Sequence, residues 1–218
     1  MEKRDLSPDL SGAYALNGAA DCRRLYAGWA DSYDDGFARG MDYRLPAEVA
    51  AAFLRAAPPP GPVLDVGAGT GLLAAALRGL GHTGEIDGID LSAEMLARAR
   101  AKGLYRGLIA ADITRPLPAA ARYAGIVSSG TFTHGHVGPE ALETLLTVAL
   151  PGAVVALSVN AGVWDALGFG PALAALGPRI AGLDRADVAI YGASAQGHDP
   201  AHAADRALIV TFRCHDPA

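Results

Sequence analysis

Cysteine is almost missing from this chain. Two residues, Cys22 and Cys214, stand near opposite ends of 218. So low a count excludes a disulfide scaffold and predicts two free thiols in a cytoplasmic protein. An excess of positive charge is missing as well. Lys and Arg number 18 against 23 Asp and Glu, for a formal net charge of −5. No basic face of the kind that binds phosphate backbones is expected, so nucleic acid is not an expected partner. No apolar run approaches the roughly 20 residues needed to cross a bilayer, so no membrane partner is expected either. The charged opening Met1-Glu2-Lys3-Arg4-Asp5 has no apolar stretch behind it, which predicts no secretory leader. Repeats and low-complexity tracts are absent. What remains is 51% hydrophobic, much of it alanine, in a length that suits one domain, as a monomer or homodimer.

The middle of the chain alternates strand and helix patterns. Strands are expected near 63–66, 85–90, 108–112, 125–129 and 152–159, with helices near 70–80, 92–102 and 139–149 between them. The run Pro58-Pro59-Pro60-Gly61-Pro62 cannot be helical and serves as a stiff connector into the first strand. Ahead of it, residues 1–20 read as a loose arm and residues 21–38 as a helix. Pro46 suits the first turn of a helix running to Ala57. After residue 160 the pattern changes. Residues 188–191 and 208–212 are apolar β-type runs joined by a polar loop, 192–206, too short for a crossover helix, so an antiparallel pair at one sheet edge is expected. The fold class is therefore α/β, with a mostly parallel seven-stranded sheet, an antiparallel last strand and helices on both faces. Its expected parts are an N-terminal arm and helical cap (1–57), a ligand-binding core (58–160) and a C-terminal part with edge strands (161–218).

The most informative stretch is Val63-Leu64-Asp65-Val66-Gly67-Ala68-Gly69-Thr70-Gly71. A strand turning through glycines into a helix lets a ligand approach the backbone, because glycine has no Cβ and tolerates positive φ. The helix start adds free N–H donors. The spacing is G-x-G-x-G. A dinucleotide fingerprint, G-x-G-x-x-G, would need glycine at 72, where Leu72 stands. Asp65 suits an ammonium or ordered loop amides better than a pyrophosphate. About twenty residues on, Asp90 closes the second strand where a ribose-binding carboxylate belongs, with Asp87 as the alternative if the register shifts. Ser92 is a good N-cap for the helix that follows, and Leu91 and Leu96 have the spacing of a hydrophobic staple. Asp112 and Ile113 end the third strand at the ligand crevice, positioned to accept from an adenine amino group and to cover its ring, with a loop cap as the alternative role for Asp112.

Other segments carry a closer likeness. Tyr26-Ala27-Gly28-Trp29-Ala30-Asp31-Ser32-Tyr33-Asp34, then Asp87 to Gly107, then Ser128-Ser129-Gly130-Thr131-Phe132-Thr133-His134-Gly135-His136-Val137-Gly138-Pro139 resemble the class I S-adenosylmethionine-dependent methyltransferases. Within them the likeness is to the Williams–Beuren syndrome critical-region (methyltransferase-like protein 27) group, over about residues 22–165. The resemblance implies a Rossmann-like class I methyltransferase fold, S-adenosylmethionine as cofactor, S-adenosylhomocysteine as product and a small-molecule acceptor. It implies that the loop of Gly67, Ala68 and Gly69 passes under the methionine part, that Leu91 lies against adenine, and that Tyr33 contacts the cofactor with Trp29 packed behind. Ser128, Ser129 and Gly130 would stand beside the methyl end. Arg44 is a candidate for the cofactor carboxylate.

Methyl transfer from a sulfonium is a direct displacement that expels a neutral thioether, so positioning carries most of it. A base is needed only for a protonated acceptor. His134 and His136, on a glycine-interrupted loop after the fourth strand, are the candidate base or substrate contacts, with a loop-fixing role as the alternative. His198, Asp199, His202 and Asp205 have metal-ligand chemistry, but Pro200 and the polar context point to a solvated connection and no metal. Two other readings remain: a protein that binds the cofactor or its product without transferring the methyl group, and a nucleotide-linked oxidoreductase, against which Leu72 argues.

Overall fold

A computed structural model describes residues 10–16, 18–117 and 122–215. Residues 1–9 of the expected arm lie outside it. A seven-stranded sheet runs in the order β3-β2-β1-β4-β5-β7-β6. The strands are β1 (Val63–Val66), β2 (Ile86–Asp90), β3 (Gly107–Ala110), β4 (Tyr123–Phe132), β5 (Ala149–Asn160), β6 (Ile180–Ala189) and β7 (Arg206–Cys214). The first five pair in parallel, and β7 lies antiparallel to both β5 and β6.

The two-residue period of the strands divides the core. Val63, Val127, Val154 and Ala156 face the helices α3 (Leu45–Arg55) and α4 (Leu72–Gly79), where they meet Val49, Phe53, Leu73 and Leu77. Leu64, Val66, Ile126, Val155 and Leu157 face the other side, toward α6 (Ala141–Val148) and α8 (Phe169–Ala175) through Leu142, Leu145, Phe169 and Leu173. Pro46 stands in the first turn of α3, as its fixed φ favours. Ser92 caps α5 (Ala93–Ala101), its side chain accepting the Met95 N–H at 3.2 Å.

Four local expectations change. The cap is not one helix: α2 (Ala19–Trp29) ends, and a π-helical turn (Tyr33–Ala38) follows. The described part of the arm forms a short helix, α1 (Leu10–Tyr14), with Leu10 and Ala13 buried. Pro151-Gly152 lies within β5, absorbed by a register shift between Tyr123 and Gly125 with Gly152 at φ 80°. The last pair is longer than expected, because β6 begins at Ile180 and its Leu183–Asp187 stretch is exposed. An edge strand with little to bury carries no apolar alternation to read. The loop 192–206 contains a helical turn, α9 (Ala195–His198), whose Ala195 is fully buried. A short helix, α7 (Ala161–Trp164), follows directly on β5, with Asn160 as its N-cap. Among the described residues no helix is long and apolar enough to cross a membrane, and no group of metal-ligating side chains gathers.

Candidate active site

The C-terminal ends of β1, β2 and β3 share one rim, where parallel α/β sheets take their ligands. After Val66 the chain turns through Gly67, Gly69 and Gly71 at φ 67°, 54° and 91°, all left-handed. A side chain at Gly67 would also be blocked, since a Cβ there would lie 1.9 Å from Thr131 Oγ1. The loop is fastened to β2. Gly67 N–H donates to the Ile89 carbonyl at 2.8 Å, and Gly69 N–H donates to Asp90 Oδ2 at 2.8 Å. Ser92 N–H donates to Asp90 Oδ1, also at 2.8 Å. Burial pushes the Asp90 pKa up, while the N–H donors of Ser92, Gly69 and Leu91 hold it down.

A cavity of about 350 Å³ opens over this rim, within the size range of small-molecule sites. Seven of the expected cofactor residues line it: Tyr33, Gly67, Gly69, Asp90, Leu91, Asp112 and Ile113. Three do not. Ala68 is buried and its N–H goes to the Ile89 carbonyl at 3.0 Å. Ser128 is fully buried and its hydroxyl donates to the Val66 carbonyl at 2.7 Å, so the next residue, Ser129, reaches the wall instead. Asp65 lies under the loop at 1% exposure, accepting the Tyr105 hydroxyl at 2.7 Å. Burial lifts its pKa to about 7 against the lowering effect of that hydrogen bond. The alternative ribose ligand Asp87 is turned away, bound by Arg106 Nε at 3.0 Å and by the Tyr123 hydroxyl at 3.1 Å. Ser129 and Gly130, expected at the methyl end together with Ser128, do line the cavity, as do Cys22 and Met95, which nothing in their sequence context marked.

The cap forms one wall. Tyr26 and Tyr33 face the cavity, and Trp29 packs edge-on against Tyr26 with centroids 5.4 Å apart. Asp34, next to Tyr33, ties the cap down. It accepts from Thr70 Oγ1 at 2.5 Å and pairs with Lys102 Nζ at 2.6 Å. Arg44 is elsewhere, paired with Glu48 at 3.3 Å on the surface.

The two histidines part company. His136 lines the cavity, 3.4 Å from the Tyr26 hydroxyl, and burial followed by the nearby His134 lowers its pKa to about 4. It is neutral at physiological pH and holds a proton weakly. His134 is outside the cavity wall, stacked on Tyr14 at 4.6 Å. A second cavity of about 40 Å³ adjoins the first and shares Tyr26, Tyr33, Gly130 and His136 with it. Its remaining walls include Tyr43 and two residues no motif singled out, Tyr14 and Tyr191. His198, Asp199, His202 and Asp205 do not converge on a metal site; His202 Nδ1 sits 2.8 Å from Asp199 Oδ2, and Asp205 accepts from Tyr14.

Comparison with known proteins agrees with this geometry. A family model described as a methyltransferase domain matches residues 63–152. Human methyltransferase-like protein 27 is 33% identical over 153 residues, which make up 68% of this chain and 61% of that protein. The chain thus spans about three fifths of its relative's length. Among solved structures, DhpI in complex with SAH superposes with a TM-score of 0.59 at 22% identity, covering 89% of this chain and 95% of the other. The cyclase SpnF superposes with a TM-score of 0.59 at 20% identity, covering 80% and 82%. These two likenesses are of fold alone. The chain carries a class I methyltransferase domain and resembles the methyltransferase-like protein 27 group.

Proposed function

We propose that this chain, with its class I methyltransferase fold, transfers a methyl group from S-adenosylmethionine to a small-molecule acceptor by direct displacement. The observation that carries the reading is the convergence of Asp90, the left-handed glycine loop and the Asp112–Ile113 turn after β3 on one cavity of about 350 Å³. These residues fit the cofactor. Asp90 offers a buried carboxylate to a ribose diol, whose hydroxyls would add to the bonds from Gly69 and Ser92. Leu91, Ile113 and Met95 provide apolar faces for a purine, and Asp112 an acceptor beside them. The glycine loop leaves room for the amino-acid end, above Asp65. Bound here, the cofactor supplies an electrophilic methyl group whose departure leaves a neutral thioether. The chain's own contribution is to hold the reactants in line and keep water out, and orientation of this kind is worth roughly 7–11 kcal/mol. Tyr26 and Tyr33 close the cap over the cavity, and the Asp34 contacts keep it closed. The two cysteines, both buried and free, suit a reducing, cytoplasmic setting.

A second reading, cofactor binding without methyl transfer, gains from two observations. SpnF, a cyclase, shares this fold. His136, the histidine in the wall, is held neutral with little affinity for a proton. Thermal unfolding with S-adenosylmethionine, S-adenosylhomocysteine and NAD tests the cofactor first. A ligand at about 100 times its Kd adds roughly 2.7 kcal/mol, a rise of several degrees at this size. The first two are expected to raise the midpoint and NAD to leave it unchanged; a rise with NAD alone would overturn the proposal. Release of labelled methyl to an acceptor then separates transfer from mere binding.

A further inference from the structure

We propose that the smaller chamber beside the cofactor cavity takes the reacting end of an uncharged acceptor whose nucleophile carries a proton, and that Tyr14 passes this proton to Asp205. The inference rests on the methyl-transfer reading above.

The chamber dictates the acceptor's chemistry. Its volume of about 40 Å³ is that of roughly three water molecules at 10–15 Å³ each, so only a few non-hydrogen atoms enter. Tyrosines 14, 26, 33, 43 and 191 dominate its wall, with Ser158 and Asn160 as polar handles, and among the described residues no lysine, arginine or carboxylate is in it. A charged nucleophile would lose its water there and gain no counter-ion, a cost of several kcal/mol. A hydroxyl, phenol or thiol enters neutral and finds aromatic faces and hydrogen-bond partners.

A neutral X–H nucleophile must lose its proton. As the X–C bond forms and the C–S bond breaks, the C–S electron pair stays on sulfur and the X–H proton leaves. Within the wall itself no group is ready to take it. Burial holds Tyr14, Tyr26, Tyr33, Tyr43 and Tyr191 above their usual pKa, so none is a phenolate at neutral pH. His136 is a weak base for the reason given above.

The exit runs through Tyr14. Its hydroxyl donates to Asp205 Oδ2 at 2.8 Å, so its own proton points out of the chamber and its oxygen lone pairs are left for the inside. There the oxygen accepts from Asn160 Nδ2 at 3.3 Å and interacts with the Tyr191 hydroxyl, which gives the acceptor's proton a path along phenol oxygens. His134 stacks on the Tyr14 ring at 4.6 Å and His202 meets it edge-on at 5.0 Å, so the ring is held in place. Tyr14 takes the incoming proton as it gives its own to Asp205. Asp205 is half-buried, and from there the proton reaches water. One positive charge on sulfur and one negative charge on Asp205 disappear together, so charge and atoms balance.

Calorimetry with S-adenosylhomocysteine separates this inference from the reading beneath it. Tyr14→Phe and Asp205→Asn are expected to bind it within about twofold of wild type, since neither side chain lines the larger cavity. No binding by the wild type would overturn the methyl-transfer reading itself. The complex is then titrated with benzyl alcohol, benzylammonium and benzoate, matched in size, and followed by amide NMR. Benzyl alcohol is expected to bind at least about tenfold more tightly than either ion and to shift Gly130, Ser158 and Asn160. Equal affinities, or shifts elsewhere, would overturn the uncharged-acceptor assignment. Labelled methyl transfer to phenol, catechol and benzyl mercaptan reads the proton path. Both variants are expected to lose about a hundredfold or more, the range of a lost general base, while affinity for benzyl alcohol stays within about threefold and Asp205→Glu recovers part of the rate. Wild-type transfer by Asp205→Asn would overturn the path, and no transfer to any of the three by the wild type would overturn the acceptor class.

Discussion

Residues 63 to 113 supply the larger cavity's glycine loop and its two acids, Asp90 and Asp112, while the cap and residues 129–137 complete the wall. The smaller chamber draws its walls from Leu10 to Tyr191, with Tyr14 and Asn160 brought together across 146 positions. The first region rests on backbone geometry: left-handed glycines, strand ends and a capped helix. The second rests on side chains packed from five separated segments. Backbone geometry tolerates few residue types at each point, whereas an aromatic wall can be assembled in many ways. The region near the cofactor should therefore break at single atoms, and the chamber should bend.

Gly67→Val is the strongest test of that contrast. The substitution forces a β-branched residue to φ 67° and places its Cβ 1.9 Å from Thr131 Oγ1. Strain and overpacking each cost about 1–3 kcal/mol, so urea unfolding should show a loss on the order of 3–5 kcal/mol. Gly81→Ala is the control. It meets positive φ at 89° with nothing within 4 Å, and should cost about 1 kcal/mol. Equal losses at the two sites would show that positive φ alone accounts for the effect and that crowding at the loop is irrelevant.

Asp90→Ala comes next. It removes the acceptor of two backbone N–H groups and, on the proposed reading, of the ribose hydroxyls. Charged hydrogen bonds of this kind are worth about 1.5–3 kcal/mol, so affinity for S-adenosylmethionine should fall at least about tenfold by calorimetry with the fold retained. Tyr43→Phe, in the chamber wall, should change it less than about threefold. If Tyr43→Phe cost the cofactor as much as Asp90→Ala, the two regions would be one site.

Asp90 also shows why one region was legible in the sequence. A short strand, a closing acid and a capped helix about twenty residues after a glycine loop are all local facts, and Asp90 is the last residue of β2 as expected. Of the three residues expected at the methyl end, Ser129 and Gly130 reach the wall and Ser128 does not, because the strand continues past the expected end at 129 through an irregularity to Phe132. The chamber was hidden for a different reason. Tyr14 sits on a five-residue helix with two buried residues, too short for a period to show. The 192–206 loop reads as solvated although Ala195 inside it is fully buried. Such contacts are visible only once the strands have fixed which distant segments meet.

A smaller, pH-dependent effect comes from the two buried groups with opposite shifts. Asp65 is lifted from 3.8 to about 7 on folding, so its favourable contribution is complete below the unfolded value and is lost as pH rises through 7. His136 is lowered from 6.5 to about 4, so its contribution is complete above 6.5 and is lost as pH falls through 4. Between those limits the two trends oppose each other. Asp65→Asn removes one of them. Relative to wild type it should gain stability from pH 5 to pH 8, on the order of 1 kcal/mol or more, in urea unfolding at the two pH values. A flat difference would mean that Asp65 is already ionised at pH 5.

The smallest effect on stability should come from the Asp34 latch, which joins the two regions. Asp34 is 37% exposed and Lys102 26%, so their ion pair is partly screened by solvent. Asp34→Asn should cost less than about 1 kcal/mol by urea unfolding. Its position makes it matter more for exchange. Thr70 belongs to the glycine loop and Asp34 follows the cavity-lining Tyr33, so the 2.5 Å bond between them closes the cap directly over the cavity. Weakening it should speed release of S-adenosylhomocysteine several-fold in stopped-flow displacement while leaving stability almost unchanged. Asp35→Asn is the matched control, because its pair with Arg39 is 78% and 80% exposed and touches neither region. If both variants release product at the wild-type rate, opening of the cap is not what limits exit, and the two regions are held together by the packing of Tyr26 and Tyr33 alone.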